Sequence, residues 1–105
     1  MKIILLNNGL IKAYSFFKKE TIKLSELSEI NYHYQAAVGL FVSVWELKDI
    51  HGKEIIFSWT TLGKTALLKD LENQLEDFSL KNFQQLFDEG DVDDTLELWK
   101  KKGKH

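Results

Sequence analysis

Apolar and polar positions alternate with two different periods along this chain, and the change falls near Gly63. Before it the period is two. Ile3 to Leu6 and Leu10 to Phe16 are apolar runs on either side of Asn7-Asn8-Gly9, which predicts a tight hairpin because Asn and Gly accept positive φ. Thr21 to Leu24 is a short β-prone run, followed by the polar, cap-like Ser25-Glu26-Leu27-Ser28-Glu29, and Ile30 to Gln35 alternates weakly. Val38 to Leu47 is the clearest strand. Val38, Leu40, Val42 and Val44 share one face, while Phe41, Trp45 and Leu47 lie on the other, so both faces are expected to be at least partly covered. Asp49-Ile50-His51-Gly52 then predicts a turn into Lys53 to Thr60, where Ile55, Phe57 and Trp59 alternate with Glu54, Ser58 and Thr60.

After Gly63 the period becomes helical. Leu68, Leu71, Leu75 and Phe78 draw one apolar stripe, opposite a face of Lys69, Asp70, Glu72, Asn73, Glu76 and Asp77. Ser79 can cap a second short helix that buries Leu80, Phe83, Leu86 and Phe87 and stops at Gly90. Asp91 can cap a third, with Val92, Leu96 and Trp99 on one side and Lys100 to Lys102 at its end.

Several antiparallel strands followed by a covering helix resemble the bacterial pleckstrin-homology-like (PH-like) domains. The resemblance spans roughly residues 1–78. It rests on LLNNGLIKAY as a first hairpin, TIKLSELSEI as a strand ending in a polar turn, VSVWELKDIHGKEIIF as a second hairpin, and LLKDLENQL as the helix. It implies an α+β fold: a bent antiparallel sheet or partly open barrel closed by a C-terminal helix, here with one or two further short helices. It also implies a non-enzymatic binding role, although fold alone does not establish function. Two departures stand out. The first hairpin loop, where lipid-binding members carry basic residues, has only Lys12 near it, and residues 79–105 form an acidic extension beyond the closing helix.

Composition narrows the classes. A chain of 105 residues, 44% hydrophobic and 29% charged, is read as a single globular domain spanning 1–105. There is no cysteine and no proline, which rules out disulfides and thiolate chemistry. With no secretory signal legible after Met1, the expected setting is cytoplasmic. All 14 basic residues are lysines, so the bidentate guanidinium readout of phosphate or guanine is missing. His33, His51 and His105 show no metal-ligand spacing, and no phosphate loop, nucleophile elbow or HExxH motif occurs. Neither enzymatic activity nor a cofactor is expected.

Charge is distributed unevenly. Asp70 to Trp99 holds ten carboxylates and one lysine, whereas residues 1–69 hold nine lysines against six acids. Five carboxylates fall within Asp88 to Asp94. One account is helix punctuation, with acids at the start of the third helix and lysines at its end complementing the macrodipole. A second is docking of a basic protein by Asp88, Glu89, Asp91, Asp93, Asp94 and Glu97, with Phe87 and Trp99 as possible apolar anchors. A calcium loop fails, because counting from Glu89 puts Asp94 at the sixth position and Lys100 at the twelfth.

Tyr32, Tyr34, Trp45 and Trp59 could stack single-stranded nucleic acid, but paired strands favour a core role for such aromatics. Nucleic acid is therefore not an expected partner. Lys18-Lys19 and the lysine tail could touch an anionic membrane, yet the neighbouring acid opposes it, and no membrane partner is expected. The sequence thus points to a non-catalytic domain that binds a basic protein. A sharper alternative is an immunity-type inhibitor of a cationic nuclease toxin. Self-association through an exposed strand edge such as Ile3 to Leu6 is a third.

Overall fold

A computed structural model describes residues 2–37, 40–58, 61–81 and 96–101, with the backbone alone at 34–37, 40–43 and 96. The chain is α+β, with two antiparallel sheets, and among the described residues these do not close into a barrel. No described helix is long and apolar enough to cross a membrane.

Strands β1 (Ile3–Asn7), β2 (Leu10–Tyr14) and β3 (Lys19–Lys23) form the first sheet in sequence order. The β1–β2 turn is the one that Asn7-Asn8-Gly9 predicts: Asn8 has φ 52° and Gly9 φ 75°, the paired positive values that match strand twist in a two-residue loop. The apolar run ending at Phe16 overshoots its strand. β2 stops at Tyr14, and Ser15 to Lys18 make a tight connection closed by Ser15 N–H to the Lys18 carbonyl at 2.9 Å.

A 3-10 turn over Leu24–Glu26 leads into β4 (Leu27–Ala37), which begins inside the segment read as polar and cap-like. β5 (Leu40–Asp49) pairs with β4, and β6 (Glu54–Ser58) with β5. The β5–β6 connection is built on Asp49, whose buried carboxylate accepts from His51 N at 2.9 Å and Lys53 N at 2.8 Å. That is the Asx-type turn its side chain favours. Trp59 and Thr60, the end of the predicted strand, lie outside the described residues.

Helix α1 (Lys64–Gln74) buries Leu67, Leu68 and Leu71. The predicted stripe continued to Leu75 and Phe78, but the helix ends at Gln74. Leu75 is extended, Asp77 turns with φ 64°, and Phe78 reaches the core from beyond the helix. Residues from both sheets and the helix then share one core, including Ile4, Ile11, Ile22, Leu47, Phe57 and Leu71. Across the second sheet, Tyr32, Trp45 and Phe57 occupy one row. Trp45 stacks on Phe57 at 5.7 Å, and Tyr32 meets Trp45 edge-on at 5.5 Å. These rings are buried, so Tyr32 and Trp45 pack the core and do not form an exposed stacking platform; Tyr34's side chain is not described.

The third predicted helix is corrected. Leu96–Lys100 is strand β7, which adds to β4 and gives the order β6-β5-β4-β7. Helical spacing of Val92, Leu96 and Trp99 and strand-like alternation of Leu96, Glu97 and Leu98 are both present in those residues. Long-range pairing with the eleven-residue β4 decides between them, since helix propensity is a weak prior that tertiary context overrides. A register shift opposite Ile30 and Asn31 inserts Leu98 as an extra residue, so that Leu98 and Trp99 both pack toward the core.

A candidate acidic face on the four-stranded sheet

Strand alternation fixes which side chains share the outer face of the second sheet. Its inner positions are Ile30 and Tyr32 on β4, Trp45 and Leu47 on β5, and Ile55 and Phe57 on β6. The complementary positions therefore point away from the core. They are Glu29, Asn31 and His33 on β4, Glu46 and Lys48 on β5, Glu54 and Ile56 on β6, and Glu97 and Lys100 on β7. Four carboxylates thus face two lysines, and Glu54, Ile56, Glu97 and Lys100 are exposed.

Glu46 is the hub. Its Oε1 accepts from Asn31 Nδ2 at 3.4 Å, and lies 3.4 Å from Lys48 Nζ and 3.6 Å from His33 Nε2. Lys48 also reaches Glu54 at 3.7 Å. Partial burial pushes the Glu46 carboxyl up, but the Asn31 hydrogen bond and the Lys48 charge together hold it below its ordinary value. Lys48 is raised in turn, by its hydrogen bond to Glu46 and by that charge. A carboxylate whose folded value is depressed stabilises the fold above its unfolded value, about 4.3, and that contribution is lost as pH falls through the folded value. Glu46→Gln is therefore expected to cost about 1 kcal/mol at neutral pH and to flatten the decline of stability below about pH 4. Urea unfolding followed across that range checks it. An unchanged acid slope would show that Glu46 is not a source of the decline.

Of the sequence-predicted site residues, Glu97 alone is described, exposed and opposite Asn31. Asp88, Glu89, Asp91, Asp93 and Asp94 lie outside the described residues, as does Phe87. Trp99 is half-buried, and its indole N–H donates to the Glu76 carbonyl at 2.8 Å, so it is tied into the fold. Sequence reasoning missed Glu29, Glu46 and Glu54, which come onto one face with Glu97 only through pairing across four strands. Alternation of Glu29, Asn31 and His33 was the available signal.

Elsewhere, an open cleft of about 780 Å³ lies between the β1–β2 turn, the 3-10 turn and β7, bounded by Leu10, Leu24, Leu75, Trp99 and Lys101. Among the described residues no group of three or more His, Cys, Asp or Glu side chains is placed to hold a metal ion. No protein-family model matches the chain, and no curated protein or solved structure matches it either.

Proposed function

We propose that this is a non-catalytic, intracellular binding domain that docks a basic protein on the outer face of its four-stranded sheet. The observation that carries the reading is the register of β7. It sets Glu97 beside Asn31, on the face that also holds Glu29, Glu46 and Glu54, and the run Asp88 to Asp94 immediately precedes that strand in the chain. Helix punctuation loses its C-terminal half, because Leu96–Lys100 is extended and Lys100 does not close a helix. Carboxylates in excess of structural need repel one another, and a cationic partner relieves that repulsion while being steered by the same field.

A PH-like arrangement is part of this proposal. It is supported by six strands in two antiparallel sheets that precede a helix packed on β1; β7, which follows the helix, is its departure.

The test is capture from cell extract at low and high salt, comparing the parent chain with Glu29→Gln/Glu54→Gln/Glu97→Gln and with Asp88→Asn/Asp91→Asn/Asp93→Asn/Asp94→Asn. A basic protein held at low salt, released at high salt and lost about tenfold or more by both variants is the expected result. A nuclease among such proteins would specify a toxin inhibitor. Capture that ignores salt and both sets of substitutions would overturn the reading.

A further inference from the structure

The connection between β2 and β3 exposes what a folded chain ordinarily hides. Phe16 is 83% and Phe17 100% accessible, and their rings stand together with centroids 6.1 Å apart. The loop itself is ordered by hydrogen bonds between Ser15 and Lys18 in both directions, so the pair is held outward by a closed turn. Beneath it, Ile3, Tyr14 and Lys19 form one row across the three strands, and Leu62 bridges Ile3 from the side. Ile3, Tyr14, Phe16, Phe17 and Leu62 are five of the seven large apolar side chains left exposed among the described residues. Such side chains scattered singly need no explanation; gathered at one end of a sheet they mark a contact surface.

The surrounding charge selects the partner. No carboxylate occurs in residues 1–19, whereas Lys2, Lys12, Lys18 and Lys19 do. The first acid, Glu20, is engaged by Lys2 at 3.4 Å. Lys19 Nζ lies 5.7 Å from the centre of the Tyr14 ring, beside the apolar tip. Convex aromatic side chains flanked by lysines suit a lipid interface, which accepts a projecting wedge and offers phosphates to the ammonium groups around it. Whole-chain acidity argues against an anionic surface. At physiological salt, however, fields are screened over about 8 Å, and the charges nearest the tip are positive.

We propose that the β2–β3 tip is a membrane-docking wedge. Phe16 and Phe17 enter the headgroup–acyl boundary of an anionic phospholipid bilayer, while Lys18 and Lys19 pair with lipid phosphates. The inference is independent of the acidic face, which lies on the other sheet.

The experiment is co-sedimentation of the full chain with vesicles of phosphatidylcholine alone or with about one-third phosphatidylserine. Sedimentation with the anionic vesicles is expected, with binding at least about tenfold weaker to the neutral ones. Phe16→Ser/Phe17→Ser should lose about tenfold or more on both, and Lys18→Gln/Lys19→Gln should weaken only the anionic case. All four side chains are exposed, so unaltered circular dichroism is expected of both variants. In Phe17→Trp, a blue shift of the added emission on mixing with anionic vesicles would place the tip in the lipid. Three results would overturn the proposal: parent chain left in the supernatant at low salt, vesicle binding unaffected by the double serine variant, or a dimer abolished by that variant without vesicle binding.

Discussion

Phe57→Ala is expected to destabilise the chain by about 3–5 kcal/mol, against a total stability of about 5–15 kcal/mol for a domain of ordinary stability. Phe57 is 1% exposed and stacks on Trp45 at the end of the Tyr32–Trp45–Phe57 row. Truncation removes the stacked ring and leaves a cavity in a core to which both sheets and the helix contribute. Paired strands such as those of Trp45 and Phe57 can collapse into the space only partly, so the loss of transfer energy and the loss of packing add. Phe57→Leu keeps most of the volume and should cost about 1.5 kcal/mol or less. Ile56→Ala, one position along on the exposed face, should stay within about 0.5 kcal/mol. Urea unfolding of the three variants reads the ranking. A Phe57→Ala cost near that of Ile56→Ala would mean that the ring is not part of the core.

That Ile55 and Phe57 share a face opposite Glu54 and Ser58 was legible in the sequence, because period-two alternation assigns the faces of a strand without reference to its neighbours. The Asn8-Gly9 turn, the Asp49 turn and the change of period at Gly63 were legible for the same reason: each depends on a residue and its immediate flanks. Two kinds of feature were not. Whether Leu96–Lys100 winds or extends depends on the free edge of β4, well over sixty residues earlier in the chain, and local spacing cannot weigh a partner that far away. Phe16 follows Ser15 as one more apolar position after Ala13 and Tyr14, so hydrophobicity alone carries the run past Tyr14 into what is an exposed turn. The candidate site divides along the same line. Its Glu97 belongs to a visible acidic run, whereas Glu29, Glu46 and Glu54 are scattered in sequence and meet only by pairing across β4, β5 and β6.

Among the three described glycines, Gly63→Ala should be the most damaging substitution, at about 3 kcal/mol or more. Gly63 has φ 85° and precedes α1, where its carbonyl accepts from Leu67 N at 2.9 Å. A Cβ there would stand 2.3 Å from the carbonyl oxygen of Ile4. Two contributions add. The left-handed conformation alone costs an alanine about 1–2 kcal/mol. The clash is with main chain, so no rotamer change relieves it. Relief requires β1 and the 62–64 segment to separate, and that separation breaks Ile4 N to Leu62 O at 2.9 Å and Leu62 N to Lys2 O at 3.0 Å. Ile4 is itself buried, so the movement propagates into the core. Gly9→Ala and Gly52→Ala isolate the first contribution, because both glycines have positive φ with nothing within 4 Å of the added carbon. Each should cost about 1–2 kcal/mol. Unfolding free energies for the three variants separate strain from close approach. If Gly63→Ala costs no more than Gly52→Ala, the contact between the helix entry and β1 does not have the tightness that makes glycine necessary there.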